Sequence, residues 1–214
     1  MLKTLIMTLM VLLNGINFVV AAEPALPILS GVGGGDFTAI DTDGNSIEFS
    51  NYAGSVVVMA FGYTNCADIC PFTLGYLKRV YEDLSPNEQK KLRIIFVTID
   101  PKYDTPEHLK GFLGHYNKNF IGLSGTRKQI DYITSLYQAK YKKLSVIDVS
   151  TKDIRRVNPK LFADEEEAEE DKASLYSHTI NLYLIDKQGF TRSIEYTGTP
   201  VEEFTSKIRA LINE

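Results

Sequence analysis

Val56 to Phe61 reads VVVMAF, an apolar run with no polar residue at alternate positions. A strand with one wet face alternates, so an unbroken run marks a strand covered on both faces, as inside an α/β sheet. Leu92 to Ile99 and Thr179 to Asp186 read as two further buried strands. Helix signals lie between and around them. A helical pattern runs from about Cys70 to Leu84, and Thr105 with Pro106 opens a second helix. Thr126-Arg127-Lys128-Gln129 forms a capping box for a third, and Thr199-Pro200-Val201-Glu202 reads as a capped start for the last, running to about Ile212. Phe37 to Phe49 alternates around Asp43-Gly44-Asn45 and reads as a hairpin. Phe120 to Leu123 reads as a short strand, and Lys187-Gln188-Gly189 turns the chain into an antiparallel partner over Arg192 to Tyr196.

Strand, helix, strand, helix, then hairpin and terminal helix is a thioredoxin-like order. The expected class is α/β, with an added amino-terminal β-hairpin and an inserted helix. The chain has 214 residues, enough for one domain with a sizeable core, placed at 36–214. Residues 23–35 are rich in Pro and Gly and read as a linker. Residues 1–22 read as an export signal: Lys3 supplies the charge, Leu5 to Leu13 the apolar core, and Val20-Ala21-Ala22 a small-residue site for cleavage before Glu23. Retention as a membrane anchor is the alternative, weakened by Asn14, Gly15 and Asn17. Either outcome puts the domain in the periplasm or on the outer face of the inner membrane, where thiols meet oxidants. A net charge of -4 and the lack of a basic stripe give no electrostatic case for nucleic acid. Asp164 to Asp171, DEEEAEED, reads as a solvated acidic insertion at about 160–173.

The two cysteines, Cys66 and Cys70, are four positions apart. A bridge over so short a loop constrains little of the unfolded chain, so redox or metal chemistry is the better reading. The pair stands where a buried strand ends and a helix begins, at the carboxyl edge where open α/β sheets carry their sites. A helix amino terminus there favours thiolate over thiol. Residues four apart on a helix have Cα atoms roughly 6 Å apart, close enough either to oxidise or to close on one soft ion such as Cu(I) or zinc. Of the three histidines, His108 lies on an amphipathic helix and reads as solvated, and His115 ends that helix, where a cation suits the macrodipole. His178 directly precedes a buried strand, where thioredoxin-like proteins commonly place a cis proline against the cysteine pair. An imidazole at that location faces the two sulfurs and makes His178 the candidate third ligand. Asp100 ends a central strand and is a candidate to orient His178, or simply to form the turn with Pro101.

The segments FGYTNCADICPFTL, VTIDPKYDTPEHLKGF, NFIGLSGT and YSHTINLYLID, preceded by GGGDFTAIDTDGNSIEF, occur in an order that resembles the Sco/SenC family. The similarity runs from about Gly33 to the carboxyl end. It implies a copper chaperone that binds Cu(I) or Cu(II) through Cys66, Cys70 and His178. It further implies delivery of copper to the binuclear copper site of cytochrome c oxidase, or thiol reduction of that site. The implied partners are the copper-bearing oxidase subunit or another copper or thiol client, and a copper donor protein. Asp100 and Asp104 match acidic positions of the family. This chain departs from the family pattern at Asn65, often His; at Ala67, usually Pro; at Tyr103, frequently Arg; and at Ser177, commonly acidic. The rival expectation, from the enzyme class, is a periplasmic thiol-disulfide oxidoreductase using Cys66 and Cys70. A peroxidase of the peroxiredoxin kind would want one activated cysteine with a nearby Arg, and the motif holds none.

Overall fold

The computed structural model describes residues 25–144 and 175–214. The expected export segment and the acidic run lie outside those residues. Strands β1 (Thr38–Asp41) and β2 (Ser46–Glu48) form the expected hairpin, closed by Asp41, whose carboxylate accepts the Asp43 and Asn45 amides. After a 3-10 turn at Phe49–Tyr52 come β3 (Val56–Gly62), α1 (Ile69–Glu82), α2 (Pro86–Gln89), β4 (Leu92–Thr98), α3 (Pro106–Gly114), β5 (Ile121–Ser124) and α4 (Arg127–Leu136). The chain then gives β6 (Tyr141–Lys143), β7 (Tyr176–His178), β8 (Leu182–Ile185), β9 (Thr191–Glu195) and a final helix, α5 (Val201–Asn213).

Among the described residues, seven strands make one sheet in the order β2-β1-β5-β4-β3-β8-β9. β3 runs parallel to β4 and β4 to β5, while β8 is antiparallel to both β3 and β9. The β3-α1-β4 and β8-β9-α5 units give the thioredoxin-like core. All seven residues of β3 are buried, as the unbroken apolar run requires. Side chains alternate across the sheet, so its two faces can be read from register. On one face Ala60 lies beside Phe96, which meets Phe112 of α3; on the other, Phe61 packs against Tyr137 and Tyr183. Each buried apolar side chain of this kind contributes about 1.5–3 kcal/mol.

Thr105 caps α3 through the His108 amide, and Thr126 with Gln129 caps α4 reciprocally, as their sequences predict. Ser85 and Glu88 form a further capping box on the short α2. The predicted Thr199 cap is corrected: Pro200 occupies the N-cap of α5 without a side-chain bond, and the Thr199 hydroxyl instead bonds the buried Glu195 carboxylate. The third buried strand is also shorter than expected, because Thr179 bonds Lys140 beside the start of β6 and pairing with β3 begins at Leu182.

Two features change the picture drawn from sequence. Residues 25–35, expected as a linker, bond to the body: the Leu29 amide donates to the Thr191 carbonyl, the Gly33 amide to the Leu136 carbonyl, and Arg192 to the Leu26 carbonyl. In addition, β6 and β7 form a two-stranded ribbon separate from the main sheet, pairing Tyr141 with His178 and Lys143 with Tyr176.

Candidate metal centre

β3 ends at Gly62 with φ outside the left-handed region, so the reason for glycine there is space rather than backbone freedom. A Cβ at this position would lie 2.7 Å from Cys70 Sγ and 2.6 Å from Phe96 Cζ. The missing side chain is what lets the first turn of α1 bring Cys70 down onto the strand end. From Gly62 the chain enters a loop in which the Cys66 amide donates to the Tyr63 carbonyl at 3.3 Å. Asp104, fully buried, braces this loop: its carboxylate accepts the Thr64 amide at 3.0 Å and the hydroxyls of Thr64 and Thr98. Burial pushes the Asp104 carboxyl up from its ordinary range, with the Thr64 and Thr98 bonds opposing.

His178 reaches the same place from β7. Its Nε2 lies 3.6 Å from Cys70 Sγ, and one ligand atom from each of Cys66, Cys70 and His178 lies within 4.8 Å of the others. Among the described residues this is the one cluster of three such groups. His178 Nδ1 is 2.9 Å from the Thr179 carbonyl, which can only accept, so Nδ1 carries the proton and Nε2 presents a lone pair toward the sulfur. Burial lowers the His178 pKa from its usual 6.5, only partly offset by that bond, and keeps the ring neutral at neutral pH. The sequence left Asp100 a choice between orienting the imidazole and forming a turn, and the structure gives it the turn. Its carbonyl accepts the Tyr103 and Asp104 amides, and one carboxylate oxygen takes the Tyr176 hydroxyl at 3.2 Å. His108 and His115 stay apart from the cluster, His108 against the Tyr103 ring and His115 at the end of α3.

The two thiols are free and buried but not equivalent. Burial works against the Cys66 thiolate, yet hydrogen bonds from the Cys70, Asp68 and Ile69 amides outweigh it, and the thiol is held below its ordinary range. Those amides are the open amino-terminal end of α1, where an anion is favoured. Cys70, deeper, is pushed well up by burial, and the charge of Cys66 adds to this.

Sequence reasoning did not single out Gly62 or Tyr63. A glycine ending a buried strand beside chemistry was a usable signal for close approach; Tyr63 offered none, because its contacts are tertiary. Its phenol donates to the Tyr176 carbonyl and accepts the Tyr176 amide, at 3.3 and 3.2 Å.

The donor set fits a soft ion. Thiolate and imidazole donors stand about 2.0–2.3 Å from such a metal, so two donors on one ion are at most about 4.6 Å apart. The observed separations need only a slight contraction.

Comparison with known proteins gives the same answer from another direction. The family model described as SCO1/SenC matches residues 29–213. A "SCO2-like protein" of Rickettsia felis is 32% identical over 156 residues, covering 73% of this chain and 65% of its own length. The chain spans between about half and two-thirds of the length of the first such relatives, with 65%, 54% and 65% covered. Among solved structures, Bradyrhizobium japonicum ScoI "with copper bound" superposes with a TM-score of 0.68 at 24% identity, over 84% of this chain and 99% of that one. BsSco, described as a member of the Sco family of cytochrome c oxidase assembly proteins with a disulfide switch, gives 0.60 at 21% identity, over 88% and 97%. At these identities the superpositions speak for the thioredoxin-like fold. The family match takes in every strand and helix described above, both cysteines and His178, and so the chain belongs to the SCO1/SenC family.

Proposed function

We propose that this domain takes up copper as cargo through Cys66 Sγ, Cys70 Sγ and His178 Nε2 and passes it by ligand exchange to a thiolate-bearing acceptor. The binuclear copper site of cytochrome c oxidase is the expected client. The convergence of two sulfurs and one neutral imidazole within 4.8 Å carries the reading. Two thiolates hold Cu(I) well, and three donors leave an approach for an incoming one. The copper recorded in the Bradyrhizobium relative supports the choice of metal. Phe72, two residues past Cys70, and Ile180, two past His178, are 55% and 43% exposed and offer apolar contact to a docking partner.

The test is titration of Cu(I) and Cu(II) into reduced and oxidised protein and into His178→Ala. The variant should keep near-linear dithiolate Cu(I) binding but lose Cu(II) affinity about 10-fold or more, since Cu(II) prefers a set that includes nitrogen. Oxidised protein should bind far less of either. Equal loading of oxidised and reduced protein, or unchanged Cu(II) affinity in His178→Ala, would put the metal elsewhere.

A second reading is favoured by the inequality of the thiols. A Cys66 thiolate attacks a client disulfide, and Cys70 then displaces the client thiolate from the mixed disulfide, leaving Cys66 and Cys70 bridged and the client reduced. BsSco's described disulfide switch supports it, and insulin reduction by copper-free protein measures it.

The proposal includes export through residues 1–22, supported by Lys3, the apolar core and the Val20-Ala21-Ala22 site. Amino-terminal sequencing of exported protein should begin at Glu23; a retained leader in the membrane fraction would mean an anchor instead.

A further inference from the structure

We propose that Tyr63 is the positioning residue of this centre, setting how the imidazole meets the two sulfurs and thereby how strongly the site prefers Cu(I) to Cu(II). The inference rests on the copper reading above. Tyr63 is 4% exposed and touches all three arms of the cluster. Its carbonyl accepts the Cys66 amide at 3.3 Å, and its amide hydrogen-bonds the Cys70 sulfur. Its phenol takes both peptide groups of Tyr176, donating to the carbonyl at 3.3 Å and accepting from the amide at 3.2 Å. Its ring meets the Tyr176 ring edge-on at 5.3 Å and the His178 ring at 5.9 Å with an interplanar angle of 80°.

The topology makes these contacts matter. The sulfurs belong to the β3-α1 junction of the main sheet, whereas His178 rides on a separate ribbon in which, among the described residues, β6 pairs with β7. No ladder of the main sheet registers His178 against the cysteines. The Tyr63 hydroxyl holds the main chain of Tyr176, two residues from the imidazole, a lever of about 7 Å along an extended strand, and the Tyr176 hydroxyl in turn holds Asp100. A hydroxyl can donate and accept at once, and a phenyl ring can do neither. If the clasp opens, the ribbon can drift while the dithiol keeps both sulfurs and loses only the contact of this hydroxyl with the Cys66 side chain. Cu(I), content with two thiolates, would register little; Cu(II) would lose its nitrogen.

The experiment compares the full chain, Tyr63→Phe and Tyr176→Phe. The last removes the Tyr176 hydroxyl from Asp100 but leaves the Tyr63 clasp on the Tyr176 main chain. Wild-type copper loading is measured first, and failure there would sink the copper reading itself. With wild type loading normally, Tyr63→Phe should hold Cu(I) within about 3-fold while Cu(II) weakens about 10-fold or more. Its thiolate-to-Cu(II) absorption and electron paramagnetic resonance spectra should shift, and Tyr176→Phe should keep the wild-type Cu(I)-to-Cu(II) ratio. In unaltered copper-free protein the Tyr176 amide should exchange slowly with solvent, a readout that needs no variant. An unchanged ratio with unchanged spectra in folded Tyr63→Phe would overturn the proposal, as would parallel loss of both copper states in both variants or rapid exchange at the Tyr176 amide.

Discussion

Gly62 shows how little room separates the strand end from the chemistry. In Gly62→Ala the new methyl meets Phe96, held between β3 and α3, and the sulfur of Cys70, held by the first turn of α1. Neither neighbour is the free end of a flexible chain. Overpacking of this kind costs typically about 1–3 kcal/mol. The expected result is a lowered melting temperature together with weakened copper binding, because the cheapest relief is to push Cys70 away from Cys66 and His178. Thermal unfolding and a Cu(I) titration of the same sample check both. A stable variant with full affinity would show that the strand end relaxes without moving the sulfur. His178 was legible in the sequence by position alone, since it stands where the chain turns toward a buried strand at the sheet's carboxyl edge. Its hydrogen-bond partner was not legible. A carboxylate on the next strand end is a reasonable donor-orienter in general, but here the Thr179 carbonyl was nearer to hand.

At the level of elements, strands with strong apolar runs announced themselves and those without did not. β3, β4 and β8 were visible because burial on both faces leaves them mostly apolar. The β6-β7 ribbon was invisible: Tyr141-Lys142-Lys143 and Tyr176-Ser177-His178 show no run, and their pairing is decided by tertiary contacts among Tyr141, Tyr176 and Tyr63. The capping boxes at Ser85 and Thr126 were local and readable in principle, whereas the Thr199 hydroxyl was drawn off by a buried carboxylate that no local pattern reveals. The cysteine loop depends on a neighbour of the same hidden kind. Asp104→Ala would strand the Thr64 amide and the Thr64 and Thr98 hydroxyls, and buried groups left unsatisfied cost about 1–3 kcal/mol each before relaxation. Allowing for relaxation, a net loss of roughly 2–4 kcal/mol by denaturant unfolding is expected. Asp104→Asn, which keeps the shape and one acceptor oxygen, should lose less. Equal stability of all three proteins would mean that the loop is held by other contacts.

Across the whole molecule, Arg192 fastens both ends of the domain to its centre. Its guanidinium bonds the buried Asp186 at 3.0 Å, the terminal residue Glu214 at 2.7 Å and the Leu26 carbonyl. In Arg192→Leu the Asp186 charge remains buried without its cation, a change that typically costs about 3–5 kcal/mol. Hydrogen exchange should rise first at Leu29, whose amide bonds the neighbouring Thr191. Protection there equal to wild type would separate the amino-terminal segment from the clamp. The wide spacing of the donors has a consequence in time as well as in space. Cys70 and His178 are 108 residues apart in the chain, so a ribosome working at 5–20 residues per second completes the dithiol about 5–20 seconds before it adds the imidazole. The contacts of β3, α1 and β4 are close in sequence, while the ribbon that brings His178 must wait until β7 has been made to pair with β6. For that interval the newborn chain carries a pair of sulfurs with nothing opposite them, and whatever oxidant or soft ion it meets then acts on a two-armed site.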